Sequence, residues 1–178
     1  SSWVGIALFG SFPFFFSNLE MSFSDSLFES MSGITTTGST VIANLDIAPK
    51  GILMWRALLQ WLGGIGIIVM AITILPFLGV GGMQLFQIQS ASASEKILPK
   101  TKEISFKIFY IYSSLTFLCF VSYHLAGMNL FDSLAHSMTT IATGGFSTHT
   151  ESIGFFKNPI IEVVSIIFIV MGSLPFIA

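Results

Sequence analysis

Charge is scarce in this sequence: Asp, Glu, Lys and Arg together make up 9% of its 178 residues. Ordinary soluble domains carry about 25%, so a closed surface solvated by water is excluded. Cysteine is scarcer still. The single Cys119 can build neither an intrachain disulfide nor a cysteine-rich metal framework, and it says nothing of the compartment. A net charge of −2 does not select a partner, and no nucleic acid is expected. There is no secretory layout of basic head, apolar core and cleavage site. The chain opens in apolar "SSWVGIALFGSFPFFF" and closes in apolar "IIFIVMGSLPFIA". Both ends read as cut through membrane segments, so the chain is expected to be a fragment.

Apolar residues are abundant, at 53%, with a mean hydropathy of +0.84. The run "WLGGIGIIVMAITILPFLGVGG" at 61–82 carries no charge, and about 20 apolar residues suffice to cross the hydrocarbon core. Spans are expected at about 3–16, about 52–82, 104–126 and 159–178. The fold class is therefore an all-α, multi-pass membrane protein in contact with lipid. In the second span Pro76 is expected to introduce a kink. Gly63, Gly64 and Gly66 are expected to permit close helix packing. They do not read as a phosphate cradle, since no Lys-Ser/Thr follows them.

Two of the three connections carry a related motif: "DSLFESMSGITTTGST" at 25–40 and "DSLAHSMTTIATGGFST" at 132–148. At an offset of 107 residues, Asp25, Ser26, Leu27, Ser30, Met31, Ile34, Thr36 and Gly38 recur as Asp132, Ser133, Leu134, Ser137, Met138, Ile141, Thr143 and Gly145. A duplication is the simplest origin. The units read as 1–88, a helix–loop–helix repeat, then 89–103, a linker, then 104–178, a second repeat. Lys96, Lys100, Lys102 and Lys107 cluster around the linker, while Lys50, Arg56 and Lys157 accompany the motifs. The positive-inside rule puts the lysine loop in the cytoplasm and both motifs outside. Two crossings separate the motifs, which makes the repeat parallel. Acidic residues beside the motifs would concentrate cations at the outer surface.

Each motif opens like a helix. Ser22 stands three before Asp25, and Asn129 three before Asp132, a capping-box-like spacing. About twelve helical residues follow, ~18 Å long, enough to reach the middle of a membrane but not to cross it. Non-helical backbone at that depth persists only where it is buried in protein or lines water. Thr and Gly allow close approach and, at Gly, positive φ. Successive carbonyls can then turn to one axis and replace the hydration shell of a monovalent cation, with the negative helix end pointing the same way. A loop that only packs the spans together is the plainer alternative.

The stretches "SGITTTGSTV", "PKGILMWRALLQWLGGIGIIV", "ILPFLGVGGMQLF" and "TIATGGFSTHTESIGFF" resemble the TrkH family of bacterial Trk potassium uptake systems, within the Trk/Ktr/HKT superfamily. The resemblance covers almost the whole chain. It implies four helix–pore loop–helix units around one pore in the bacterial inner membrane, of which this chain holds two. By motif, Thr36, Thr37, Gly38 and Ser39 would line one quadrant of a selectivity filter, and Thr143, Gly144, Gly145 and Phe146 the next. Glycine at positions 38 and 145 goes in this family with a preference for potassium. The implied partners are the third and fourth repeats of the same chain, a second copy, and a cytoplasmic nucleotide-binding regulatory subunit. No catalysis and no cofactor is expected beyond the permeating potassium ion. A sodium or mixed-cation pore, a non-conducting assembly subunit and a redox subunit stay open as other readings.

Other residues are given structural roles. His124, His136 and His149 lack the tight spacing of a ligand pair. His136 replaces Glu29 of the first motif, so no shared role is expected of those two side chains. Arg56, Trp55 and Trp61 are expected to anchor an interface, with Glu162 treated in the same way. Cys119 is expected to fill apolar space.

Overall fold

The computed structural model describes residues 2–78 and 94–174, with side chains described at 3–70 and 105–174. Helix α1 spans Ser2–Phe15, α2 Phe23–Ile34, α3 Lys50–Leu78, α4 Ser94–Leu125, α5 Leu130–Ile141 and α6 Pro159–Ser173. A 3-10 helix, Ser152–Phe156, precedes α6. No strand occurs among the described residues.

Within α3 and α4, Lys50–Met70 and Ser105–Leu125 are long and apolar enough to cross a membrane. Trp3–Phe15 and Pro159–Ser173 are apolar but shorter, so two of the four expected spans reach crossing length among the described residues. Phe9, Phe106 and Leu125 remain exposed, as side chains facing lipid tails would be. Helix α3 continues through Pro76 to Leu78. Helix α4 begins ten residues before the expected span boundary, so 94–103 of the expected linker are helical rather than loop. Glu, Lys and Leu are good helix formers, and a helix does not end where its residues leave the hydrocarbon. The other linker residues, 89–93, lie outside the described residues.

Both short helices form where their capping residues predict. Ser22 caps α2 in a full capping box with Asp25, and Asn129 caps α5 by accepting from the Asp132 N–H. Each then packs between two longer helices: α2 against α1 and α3, α5 against α4 and α6. The two triplets meet where α3 packs on α5.

Glycine sets the closeness of these contacts. A Cβ at Gly63 would overlap the carbonyl of Ile34, the last residue of α2. One at Gly172 would press on the carbonyl of Ile141, the last residue of α5. Gly64 abuts Tyr112 and Ala142, and Gly66 abuts Trp3, so these glycines serve close packing as expected. Both tryptophans are tied to neighbouring helices. Trp55 Nε1 donates to the Gly10 carbonyl at 2.9 Å, and Trp61 Nε1 to Thr116 Oγ1 at 3.0 Å. Indole N–H groups need an acceptor away from water, and the neighbouring helices provide one. Cys119 is buried in an apolar cluster with Tyr112, Tyr123 and Phe168.

Gly63→Val should cost about 1–3 kcal/mol by overpacking, whereas Gly51→Ala, with nothing near its Cβ position, should be near neutral. Thermal unfolding of the full-length protein in detergent checks the difference.

Candidate functional site

Both short helices stop in the same way. Thr36 N–H donates to Gly33 O at 3.0 Å and Thr37 N–H to Ser32 O at 2.9 Å. In the second copy Thr143 N–H donates to Thr140 O and Gly144 N–H to Thr139 O at the same two distances. This is the Schellman arrangement, whose turning residue sits in the left-handed region and is usually glycine. Here it is threonine, with φ 54° at Thr36 and 52° at Thr143, an uncommon conformation for a β-branched residue. Positive φ had been expected of the glycines only. Gly38 and Gly145 follow, both at φ 80°. The copies therefore share a backbone path as well as a sequence.

The two loops lie side by side. A Cβ at Gly38 would overlap the Gly144 carbonyl oxygen, and Phe146 is buried with its ring edge against Gly33 of α2. Two of the loop carbonyls are claimed by side chains. Ser32 Oγ donates to Ser39 O at 2.6 Å, and Gln60 Nε2 to Gly144 O at 2.9 Å. The carbonyls of Thr36, Thr37, Gly38, Thr143, Gly145 and Phe146 accept no hydrogen bond from the described residues.

Behind the loops lies a buried ion pair absent from the sequence-based expectation. Arg56 is 1% exposed and Glu29 0%; Arg56 Nε donates to Glu29 Oε1 at 2.7 Å. Arg56 Nη1 also donates to Ser147 O at 2.9 Å, and its guanidinium lies 4.0 Å from the Phe146 ring centroid. Arg56 is thus no interfacial anchor. It links α2 to the segment after the second loop. A buried charge needs a charged and hydrogen-bonded partner, and Glu29 provides it. The signal for this pairing was the only arginine of the chain set in an apolar run, facing an acid that the second motif lacks.

Position 29 and its counterpart 136 do share a role, contrary to expectation. Glu29 accepts from Thr40 Oγ1 at 2.9 Å and from Val41 N–H at 3.0 Å. His136, also buried, donates from Nδ1 to Asp132 O and accepts at Nε2 from Ser147 Oγ, each at 2.9 Å. Thr40 and Ser147 are equivalent in the repeat, so each side chain ties the segment leaving its own loop.

His149 bridges the two repeats. Its Nδ1 lies 2.7 Å from Asp46 Oδ1 and its Nε2 3.1 Å from Asp132 Oδ2, and its ring stacks on Phe155 at 3.6 Å. Both ring nitrogens of His136 and of His149 are engaged, which leaves neither available to a haem iron. His124 sits exposed at the end of α4, with Nδ1 3.0 Å from Met128 O. Glu162 lies exposed in the first turn of α6. The His149 and Thr150 hydrogen bonds hold the Asp46 carboxyl below its ordinary value of 3.8.

Paired half-membrane helices, each ending in a non-helical loop and enclosed by longer apolar helices, define a pore-loop membrane protein. The comparisons agree. The TrkH family, described as "Cation transport protein", matches residues 1–177, and the chain belongs to that family. It is 46% identical over 177 residues to "Trk system potassium uptake protein TrkH" of Halomonas elongata, covering 98% of this chain and 37% of the relative. To the protein of that name in Escherichia coli K12 it is 44% identical over 174 residues, covering 96% and 36%. The crystal structure of the potassium transporter TrkH from Vibrio parahaemolyticus superposes with a TM-score of 0.83 at 44% identity, over 96% of this chain and 34% of that one. The chain thus spans little more than a third of the length of these relatives.

Arg56→Met leaves a buried carboxylate unpaired and should cost about 3–5 kcal/mol, largely recovered in the Arg56→Met/Glu29→Gln double variant; a double-mutant cycle on thermal stability checks this. Asp46 has a depressed folded-state pKa, so its contribution is complete above 3.8 and fades as pH falls through the lower folded value. Amide exchange at 42–48, corrected for intrinsic rates, should therefore rise on acidification below 3.8. Asp46→Asn should raise it already at neutral pH.

Proposed function

We propose that this chain forms two adjacent quadrants of a potassium-conducting pore, as the first two of four repeats of a longer protein. The repeat units are 1–88 and 104–178 joined by 89–103. Potassium ions enter from an acidic outer mouth that includes Asp46 and Glu151. They exchange water for the carbonyls of Thr36, Thr37, Gly38, Thr143, Gly145 and Phe146, with Ser39 and Gly144 completing the two filter segments. The observation that carries this reading is the pair of loops. They touch, repeat the same positive-φ pattern, and leave six carbonyls without a hydrogen-bond donor among the described residues. Unclaimed carbonyls at membrane depth are costly unless water or a cation serves them. The names of the relatives supply potassium as the ion.

In this reading the protein resides in the bacterial inner membrane with both loops entering from outside and the lysine loop in the cytoplasm. The third and fourth repeats cover the open side of the loops. A second copy and a cytoplasmic nucleotide-binding subunit complete the assembly. The pore performs no bond chemistry and uses no cofactor.

The full-length protein should restore growth at low potassium to a bacterial strain lacking its uptake systems; failure to do so counts against the reading. Gly38→Ser, which needs positive φ and overlaps Gly144 O, should lower the potassium-to-sodium flux ratio by about tenfold or more. Gly145→Ser meets open space and strains only the backbone, by about 1–2 kcal/mol, so its effect should be smaller. Rubidium and sodium flux into proteoliposomes measures both.

A further inference from the structure

We propose that Gln60 is a positioning residue for ion selection, holding the second loop from behind so that its carbonyls keep a spacing suited to potassium. The inference rests on the filter reading above. Gln60 is fully buried on α3. Its Nε2 donates to Gly144 O at 2.9 Å, and its Oε1 accepts from Phe146 N–H at 3.1 Å. One carboxamide therefore fixes the peptide groups on both sides of Gly145, as a neighbouring strand would.

The second loop needs such a tie more than the first. Gly144 and Gly145 stand in succession, and glycine has the greatest backbone freedom of any residue. The first loop has one glycine and is tied by its own helix, through Ser32 Oγ to Ser39 O. A further bond joins Thr35 Oγ1 and Thr37 Oγ1 at 2.8 Å. The counterpart of Ser32 in the second copy is Thr139, which turns back to His136 O within its own helix. The second loop is thus tied by a side chain of the first repeat. Gly144 is required for this, because a Cβ there would overlap the Gln60 carboxamide.

Among the described residues the device occurs at this seam alone. Gly63 and Gly172 occupy equivalent places, each against the last carbonyl of its short helix. Three residues before them stand Gln60 and Ile169, and Ile169 has no hydrogen-bonding side chain. A loop released from Gln60 can close its carbonyls around the smaller sodium ion, which a held loop resists.

The test uses the full-length protein in proteoliposomes, with Gln60→Met as a near-isosteric variant lacking both polar groups and Gln60→Leu as a second. The expected result is a potassium-to-sodium flux ratio lowered by about tenfold, the scale of one buried hydrogen bond, with potassium flux retained and gel-filtration behaviour unchanged. A merely structural role would lower both fluxes together and leave the ratio alone. A wild-type ratio in either folded variant overturns the proposal, as does loss of folded protein in both, since Arg56 and Phe146 still hold the seam. If the unmodified protein shows no potassium preference while the Gly38→Ser variant is also unchanged, the filter reading itself fails, and the two failures are told apart.

Discussion

Hydrocarbon offers no hydrogen bonds, so any stretch of chain that leaves the helix at membrane depth must have its backbone polar groups met by protein, water or an ion. The organisation of this chain follows from that constraint. Two loops leave two half-membrane helices and must be held on one side while remaining open on the other. Side chains hold the rear: Ser32 on Ser39, Gln60 on Gly144 and Phe146, Arg56 on Ser147, Glu29 on Val41. The longer helices shield these contacts from lipid, and glycines at 63 and 172 let them come close enough to do so.

The repeats share a backbone but are held by different chemistry. The first loop is tied by a carboxylate and a serine of its own helix. The second uses a histidine and an aspartate of its own helix, His136 on Ser147 and Asp132 on Thr148, and is held as well by Gln60 and Arg56 on α3 of the first repeat. Arg56 shows why the dependence arises. Once the arginine is buried beside Glu29, its remaining donors need acceptors, and the Ser147 carbonyl of the neighbouring unit is within reach. Its guanidinium then offers a face to Phe146. Charge burial in one repeat thereby sets the position of the loop in the other.

Outside the loops, His149 joins Asp46 of one repeat to Asp132 of the next. The two contacts use both ring nitrogens, and the ring stacks on Phe155. The contact joins the two repeats through an imidazole between two carboxylates, where the loops are joined through buried amide and guanidinium groups. The same Asp132 also closes the cap of α5 with Asn129. The start of α5 and the His149 contact are consequently one connected network.

The sequence by itself determined the membrane class, the duplication, the start of each short helix and its length of about twelve residues. These are local or compositional properties: hydropathy, identity at a fixed offset, and capping groups three residues apart. It also determined that the glycines of α3 serve packing. What it could not determine is which side chains hold the loops, because those contacts join residues such as Arg56 and Ser147, or Gln60 and Phe146, far apart in the chain. Arg56 beside Trp55 looks like an interfacial anchor until folding brings Glu29 to it. Glu29 and His136 look unrelated until each is found bonded to the segment leaving its own loop. Threonine at φ near 50° is likewise a tertiary outcome, since the local preference of a β-branched residue runs against it and only the surrounding packing compels it.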